Sequence, residues 1–172
     1  GSEMCIRDRI LDTSGSMFGE KNLLAAIAAI TVAYRLKNSD LAIIAFNTYA
    51  LPIKHINSRI SINKILERIL ELEASGYTNI YDGLKKGLLE LRKSKAKNRW
   101  GLLITDGMYN TGGDPRPLAR KFPKLHVIAL PAQNPYGIKV CKDLASLCKG
   151  RFAITRKFSD LKTLLLNILG KI

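Results

Sequence analysis

Apolar residues recur along this chain in two patterns, short unbroken runs and longer stretches with helical spacing. The run from Asp40 to Phe46 is almost wholly apolar, which is typical of a strand buried on both faces of a sheet. Between Ser61 and Leu72, isoleucine and leucine instead recur at intervals of three and four, which predicts one buried face of a helix. The predicted strands are the strand end Ile10–Asp12, then Asp40–Phe46, Thr48–Ile53, Trp100–Thr105, Leu125–Leu130 and Arg151–Thr155. The predicted helices are Lys21–Lys37, Ser61–Leu72, Ile80–Ser94, Pro115–Phe122, Ile138–Leu147 and Ser159–Leu169.

The order of these elements predicts the fold class. Strands that alternate with helices form a parallel sheet with right-handed crossovers, so we expect an α/β protein with a doubly wound, Rossmann-like three-layer sandwich. Thr48–Ile53 follows the preceding strand after the single residue Asn47, which predicts a hairpin and hence one antiparallel edge strand. Pro52 fits such an edge, because a missing N–H costs little there. No linker, repeat or low-complexity stretch divides residues 10–172, which we expect to form a single domain.

The first nine residues differ in character from those that follow. The opening Gly-Ser resembles an expression-tag remnant, and Gly1–Arg9 as a whole resembles translated read-through of a sequencing adapter. Residues 7–9 are all charged and directly precede the apolar end of the first strand, where charges are costly if both faces are covered. We therefore expect residues 1–9 to be a tag or an artefactual, non-native segment, and the native chain to extend further upstream.

Net charge adds an indication about partners. The 172 residues carry 28 Lys and Arg against 14 Asp and Glu, a formal charge of +14. Residues 87–172 hold 17 of the basic and 5 of the acidic side chains, so the excess lies mainly in the second half. An excess of this size favours an acidic partner, although solubility alone explains it equally well. We expect the excess to flank the functional site and to favour an acidic partner.

The remaining composition excludes several classes of protein. A content of 47% hydrophobic and 24% charged residues is that of a globular protein and excludes a disordered or collagen-like chain. The longest uncharged apolar run, Leu23–Tyr34, is shorter than the ~20 residues that a membrane span needs. Of the three cysteines, Cys141 and Cys148 would lie ~10 Å apart on one helix, too far for a disulfide. With no zinc-type spacing either, a reducing, cytoplasmic setting fits best.

Oxygen-bearing side chains gather where strands end. Asp12, Ser14 and Ser16 occupy alternate positions of a strand-to-helix turn and can point three oxygens into one pocket, although helix capping is a simpler reading of the same turn. Asp106 ends the Trp100 strand, and Thr78 lies in the loop before the Ile80 helix, so both are expected at the same carboxyl edge of the sheet. Two carboxylates and three hydroxyls form a set of hard donors that suits Mg²⁺, or else Mn²⁺ or Ca²⁺. A carboxylate from a partner is the natural sixth ligand.

These segments resemble the metal-ion-dependent adhesion site of von Willebrand factor A domains, and the resemblance extends over residues 10–170. It implies that Ser14 and Ser16 bind the metal directly, that Thr78 does so when a ligand is engaged, and that Asp12 and Asp106 act mostly through water. It also implies a central sheet with one antiparallel edge strand and a metal-dependent grip on an acidic residue of a partner protein.

One position departs from the family pattern. Family members often have glycine before the threonine, where this chain has Tyr77. A bulky residue at this position narrows the loop or offers an aromatic contact to the partner.

The function we expect first is that of a non-catalytic, divalent-cation-dependent protein-interaction module in the cytoplasm. Similar intracellular domains work with AAA+ ATPases of the MoxR and magnesium-chelatase type, and the absence of a signal peptide and of paired cysteines favours that branch. One alternative is a nucleic-acid-associated A domain that uses the basic run Arg92–Arg99, which is otherwise a solvated helix end. Another is an adhesion module detached from its signal and anchor.

Enzymatic activity is not expected. A haloacid-dehalogenase-type phosphotransferase needs a second acid two residues after Asp12, where this chain has Ser14. No Gly-rich phosphate loop and no G-x-S-x-G elbow occur. His55 and His126 lack matching ligands and are expected to be structural. The last predicted helix, Ser159–Leu169, carries an apolar stripe on which it is expected to slide when the metal engages a ligand.

Overall fold

The computed structural model describes residues 5–12, 41–71, 77–94, 98–130 and 134–155, together with residues 160 and 163. The strands are β1 Cys5–Asp12, β2 Leu41–Phe46, β3 Ala50–Lys54, β4 Asn98–Thr105, β5 Leu125–Ala129 and β6 Phe152–Ile154. The helices are α1 Ile62–Leu70, α2 Ile80–Arg92, α3 Arg116–Ala119 and α4 Pro135–Ser146.

The six strands form one sheet in the order β3-β2-β1-β4-β5-β6. Neighbouring strands pair in parallel from β2 to β6, and β3 pairs antiparallel with β2 at the edge. The chain moves outward from β1 to one side and then resumes on the other side with β4. The direction in which strands are added therefore reverses between β1 and β4, as in doubly wound α/β sheets. This confirms the α/β class, while the three-layer arrangement stays a prediction.

Strands β2 and β5 are buried on both faces. Every residue of β2 from Leu41 to Phe46 is at most 2% exposed, as expected of a strand covered on both sides. On one face, Leu84 of α2 and Val140 of α4 belong to the same buried cluster as Leu103 of β4. Helix α2 thus packs against β1 and β4, whose carboxyl ends carry the candidate site, and α4 packs beside them on β5 and β6.

Three predicted elements begin two or three residues from the predicted start, and one of them is β4, which begins at Asn98 rather than Trp100. The helix predicted from Ile138 begins at Pro135, because the side chain of Asn134 accepts a hydrogen bond from the N of Tyr136 at 2.9 Å and caps it. The strand predicted from Thr48 begins at Ala50, since residues 47–49 form the turn that reverses the chain.

At the amino terminus, β1 extends upstream of the predicted strand. Its backbone pairs residues 7–9 with β2 and β4, in the middle of the sheet. The expectation that residues 1–9 are foreign to the native protein stays a prediction. The helix predicted over Lys21–Lys37 lies outside the described residues, as does Ser159–Leu169 apart from residues 160 and 163. Among the residues that are described, no helix has the length and apolar character needed to cross a membrane.

Candidate functional site

The carboxyl ends of β1 and β4 lie side by side, at what we call the carboxyl edge of the sheet. Leu11 of β1 pairs with Ile104 of β4 in parallel register, so Asp12 is level with Thr105 and Asp106 follows one residue later. The backbone therefore brings the two predicted aspartates to neighbouring strand ends.

Asp106 is held in a tight turn directly after β4. Its Oδ1 accepts a hydrogen bond from the N of Met108 at 3.0 Å, and the Oγ1 of Thr105 accepts one from the N of Gly107 at 3.2 Å. Gly107 has a φ of 77°, and a Cβ on it would lie 2.1 Å from the carbonyl oxygen of Gly137. Only glycine fits both the dihedral angle and this close approach, so the turn after β4 is packed firmly against the start of α4.

The Asp106 carboxylate is buried and forms no ion pair with a side chain from the part of the chain that the structure describes. Asp106 is 3% exposed. The ion pairs found among the described residues involve other carboxylates, those of Glu67, Glu90, Asp114 and Asp143. Burying a carboxylate is costly unless an opposite charge or several hydrogen bonds offset the lost hydration. The position of Asp106 therefore favours a bound cation.

Thr78 lies in the loop before α2 and is tied to the strand ends on both sides of β1. Its N donates to the Oδ1 of Asn110 at 2.8 Å, and its carbonyl oxygen accepts from the N of Asn110 and Thr111 at 3.1 and 3.3 Å. On the other side, the N of Tyr77 donates to the Oγ1 of Thr48, after β2, at 3.0 Å. Because β1 lies between β2 and β4, a loop bonded to residues beyond both neighbours passes over the end of β1.

Asn79 fixes the same loop to α2, and the sequence analysis did not single it out. Its Oδ1 accepts a hydrogen bond from the N of Asp82 at 2.9 Å, which caps α2, and its Nδ2 donates to the carbonyl oxygen of Thr48 at 3.0 Å. Its own N donates to the carbonyl oxygen of Asn47 at 2.8 Å. The signal that could have found it is an Asn three residues before an acidic residue at a helix start.

Of the five predicted metal ligands, Thr78 and Asp106 are described with their side chains. Asp12 is described as the last backbone position of β1, and Ser14 and Ser16 lie outside the described residues. Thr78, 3% exposed, and Asp106 contribute a hydroxyl and a carboxylate, which are hard donors that fit Mg²⁺. No group of three or more His, Cys, Asp or Glu side chains gathers within the described ranges. The predicted metal site does not depend on such a group, because three of its five ligands are hydroxyls.

The two histidines have structural partners. The Nδ1 of His55 lies 2.5 Å from the Oε1 of Glu90, and the Nδ1 of His126 accepts a hydrogen bond from the N of Arg151 at 2.9 Å. The ring of His126 also packs edge to face against Trp100, with centroids 5.3 Å apart. Both residues therefore have the structural role expected of them.

The two ends of the basic run, Arg92 and Arg99, lie at the opposite edge of the sheet, where α2 ends and β4 begins. The Nη1 of Arg99 donates to the carbonyl oxygens of Leu91 and Ser94 at 3.1 and 3.4 Å, which satisfies groups at the end of α2. The expectation that the basic excess flanks the site is wrong for this run.

Comparisons with known proteins give this geometry its family context. A family model described as the von Willebrand factor type A domain matches residues 9–108, more than half of the chain. The Synechocystis sp. protein sll0103 is 35% identical over 114 residues, which make up 63% of this chain and 26% of that protein. The chain thus spans about a quarter of the length of this curated relative.

Solved structures agree on the fold. A von Willebrand factor type A protein from Catenulispora acidiphila matches 99% of this chain over 43% of its own, with a TM-score of 0.83 and 19% identity. The PilB minor pilin from Streptococcus sanguinis matches 99% over 61% of its own chain, with a TM-score of 0.80 and 15% identity. An aerotolerance-related membrane protein from Bacteroides fragilis matches 98% over 100%, with a TM-score of 0.73 and 15% identity.

Proposed function

The chain belongs to the von Willebrand factor type A domain family, whose members are generally protein-interaction modules, and we propose that it is a non-catalytic module that binds an acidic residue of a partner protein through a divalent cation. The observation that carries the proposal is Asp106, a carboxylate 3% exposed with no ion-pair partner among the described residues. A divalent cation beside it would offset the buried charge.

We assign the metal to Asp12, Ser14, Ser16, Thr78 and Asp106, with Mg²⁺ as the ion and Mn²⁺ or Ca²⁺ as the alternatives. When bound, the ion supplies a coordination position for a carboxylate of the partner. Neutral hydroxyls make up three of the five ligands, so much of the positive charge of the ion remains available to that carboxylate.

The described residues support this site by fixing its position in advance. Hydrogen bonds from Asn110 and Thr111 hold the backbone of Thr78, and Asn79 joins the same loop to α2. Since these bonds attach the loop to the segment after β4 and to a helix, little further ordering is needed when a ligand binds.

Thermal unfolding with and without metal tests the proposal. Trp100, the only tryptophan, is 1% exposed and reports unfolding through its fluorescence. A cation that binds only the folded protein stabilises it by about 2.7 kcal/mol at a concentration about 100 times its Kd, which raises the Tm of a chain of this size by roughly 5–10 °C. We expect this rise in millimolar Mg²⁺ and its reversal by EDTA.

Asp106→Asn is the informative variant, because its amide oxygen still accepts the hydrogen bond from Met108 while the charge is lost. The Mg²⁺-dependent rise in Tm should vanish in this variant. Asp114→Asn is the matched control, since the Asp114 side chain is 52% exposed and pairs with Arg116 instead. An unchanged wild-type Tm in Mg²⁺, or an equal rise in both variants, would contradict the proposal.

The partner we propose is a protein with an exposed Asp or Glu, and for a cytoplasmic protein an AAA+ ATPase of the MoxR or magnesium-chelatase type. An adhesion module detached from its signal and anchor is the alternative, and the PilB minor pilin is a protein of similar fold. Nucleic-acid binding through the basic run receives less support, because Arg99 is engaged at the end of α2. A salt titration distinguishes nucleic-acid binding from protein binding at the metal site. Affinity for nucleic acid falls steeply as salt is added, whereas binding at the metal site depends on Mg²⁺.

A further inference from the structure

Four loop segments, the last of which runs into the first turn of α4, adjoin one another at the carboxyl edge, and we call them together the tyrosine face. In chain order they comprise residues 47–50, 77–79, 107–113 and 134–138, and 15 of these 19 residues are Tyr, Asn, Gly or Thr. None of the 19 is charged, although 24% of the whole chain is, so four or five charges would be expected in a sample of this size. The face also holds four of the 6 tyrosines of the chain. Its composition is therefore distinct from that of the chain as a whole.

Direct contacts join the four loops. The second loop is bonded to the first through Thr48 and to the third through Asn110, at 3.0 and 2.8 Å. The third loop meets the fourth where the backbones of Gly107 and Gly137 touch. The loops thus form one surface around Thr78.

The tyrosine side chains are available to a partner. Tyr49, Tyr77 and Tyr136 are 76%, 62% and 47% exposed. Tyr109 is half-buried, and its interaction with the Tyr136 hydroxyl raises its pKa, while the Arg116 guanidinium lowers it. Tyr49 and Tyr77 belong to the two segments that are bonded to each other at Thr48, after β2, and Tyr109 and Tyr136 belong to the segments that follow β4 and β5.

We infer that the tyrosine face selects a partner loop in which a single carboxylate is surrounded by uncharged, mainly apolar residues. The inference rests on the proposed function, because the metal is what would hold the central carboxylate. Tyrosine offers a large, rigid ring with a polar tip, and together with Asn and Gly it dominates the loops with which antibodies bind protein surfaces. The 19 residues include no cationic side chain, and Arg116, which interacts with Tyr109, is already paired with Asp114 and Asp143. Further carboxylates on the partner would therefore lose hydration against the rings without compensation.

The inference departs from what the net charge indicates. A charge of +14 favours an acidic partner, whereas none of the 19 residues of the tyrosine face is charged. Recognition at this face is therefore expected to depend on contact rather than on long-range attraction.

An array of cyclic peptides with a central Asp, in which each flanking position is varied in turn, tests this inference. We expect retention of the protein in Mg²⁺ to be strongest with aromatic, leucine or proline flanks and weakest with Asp or Glu flanks. Affinity for the best peptide should change less than about threefold between about 50 and about 300 mM NaCl, because charged side chains contribute little to the contact.

Variants of exposed tyrosines provide the second measurement. Tyr49→Ala and Tyr136→Ala should each lower affinity for the best peptide by about tenfold or more. Leu89→Ala is the matched control, because Leu89 is an exposed apolar residue, at 45%, that lies on α2 outside the face. It should bind the peptide as the wild type does.

The Tm measured in Mg²⁺ distinguishes the two possible failures. If Mg²⁺ fails to raise the Tm of the wild type, the proposed function is wrong and this inference falls with it. If Mg²⁺ raises the Tm but acidic flanks are preferred, the tyrosine variants bind like the wild type, or no peptide is retained, only the inference about the tyrosine face is overturned.

Discussion

Gly112 and Gly113 provide a test of how firmly the loop around Thr78 is held. Both have positive φ angles, 85° and 83°, so alanine introduces the same backbone strain at either position. Their surroundings differ, because a Cβ on Gly112 would lie 1.9 Å from the Oδ1 of Asn79, whereas no described atom lies within 4 Å of one on Gly113. Gly113→Ala is therefore a matched control for Gly112→Ala, and their difference isolates the displacement of Asn79.

The magnitude follows from the bonds that Asn79 would lose. The strain shared by both variants is about 1–2 kcal/mol, the cost of left-handed backbone for a residue with a Cβ. Displacing Asn79 also removes the N-cap of α2, worth about 1 kcal/mol, and the hydrogen bond to Thr48, worth about 1 kcal/mol. Gly112→Ala should therefore be less stable than Gly113→Ala by about 2 kcal/mol, or roughly 4–8 °C in Tm.

Urea unfolding followed by Trp100 fluorescence measures both free energies. Equal destabilisation by the two variants would refute the reasoning, because it would mean that Asn79 moves aside without cost. A second readout follows from the proposed metal site, since Thr78 directly precedes Asn79. The Mg²⁺-dependent rise in Tm should be smaller in Gly112→Ala than in Gly113→Ala.

Three further substitutions test the packing around the site and at the opposite edge. Burial raises the pKa of Glu90, but hydrogen bonds with a backbone N–H, His55 and Lys93 outweigh it, so the pKa lies below its ordinary value of 4.5. The ionised carboxylate therefore stabilises the folded protein fully above pH 4.5, and this stabilisation is lost as the pH falls through the lower pKa of the folded state. The urea midpoint of the wild type should exceed that of Glu90→Gln at neutral pH, and the two midpoints should converge in acid. Arg116→Ala removes two partly exposed ion pairs and should cost about 1 kcal/mol in urea unfolding, less at high salt. Arg99→Ala should cost about 1 kcal/mol in the same assay and leave the Mg²⁺-dependent rise in Tm unchanged, and loss of that rise would contradict the position of Arg99 at the opposite edge.

The fold class could be predicted because its determinants are local and repetitive. Burial on both faces makes β2, β4 and β5 continuous apolar runs, and a parallel arrangement then brings their carboxyl ends to one edge. That argument alone placed Thr78 and Asp106 at the same edge, where the structure also has them.

Other features depend on contacts that leave no local pattern. The bond between Thr78 and Asn110 joins residues 32 positions apart, and nothing near Asn110 in the sequence indicates its partner. The start of α4 was misplaced for a different reason, since Asn134 and Pro135 form a cap that interrupts the apolar periodicity on which the prediction relied. Periodicity identifies the buried face of a helix better than its first turn.

The position of the basic run bears directly on how a partner is attracted. β4 spans eight residues from Asn98 to Thr105, so at a rise of ~3.3 Å per residue about 23 Å separates its two ends. Exposed charges are screened over about 8 Å at physiological ionic strength, and Arg99, at the start of β4, is thus about three screening lengths from Asp106. The electrostatic field of Arg99 is therefore too weak at the end of β1 to attract a carboxylate of a partner. Under the proposed function, the cation would then supply the attraction at the carboxyl edge, and the tyrosine face would supply the selectivity by contact.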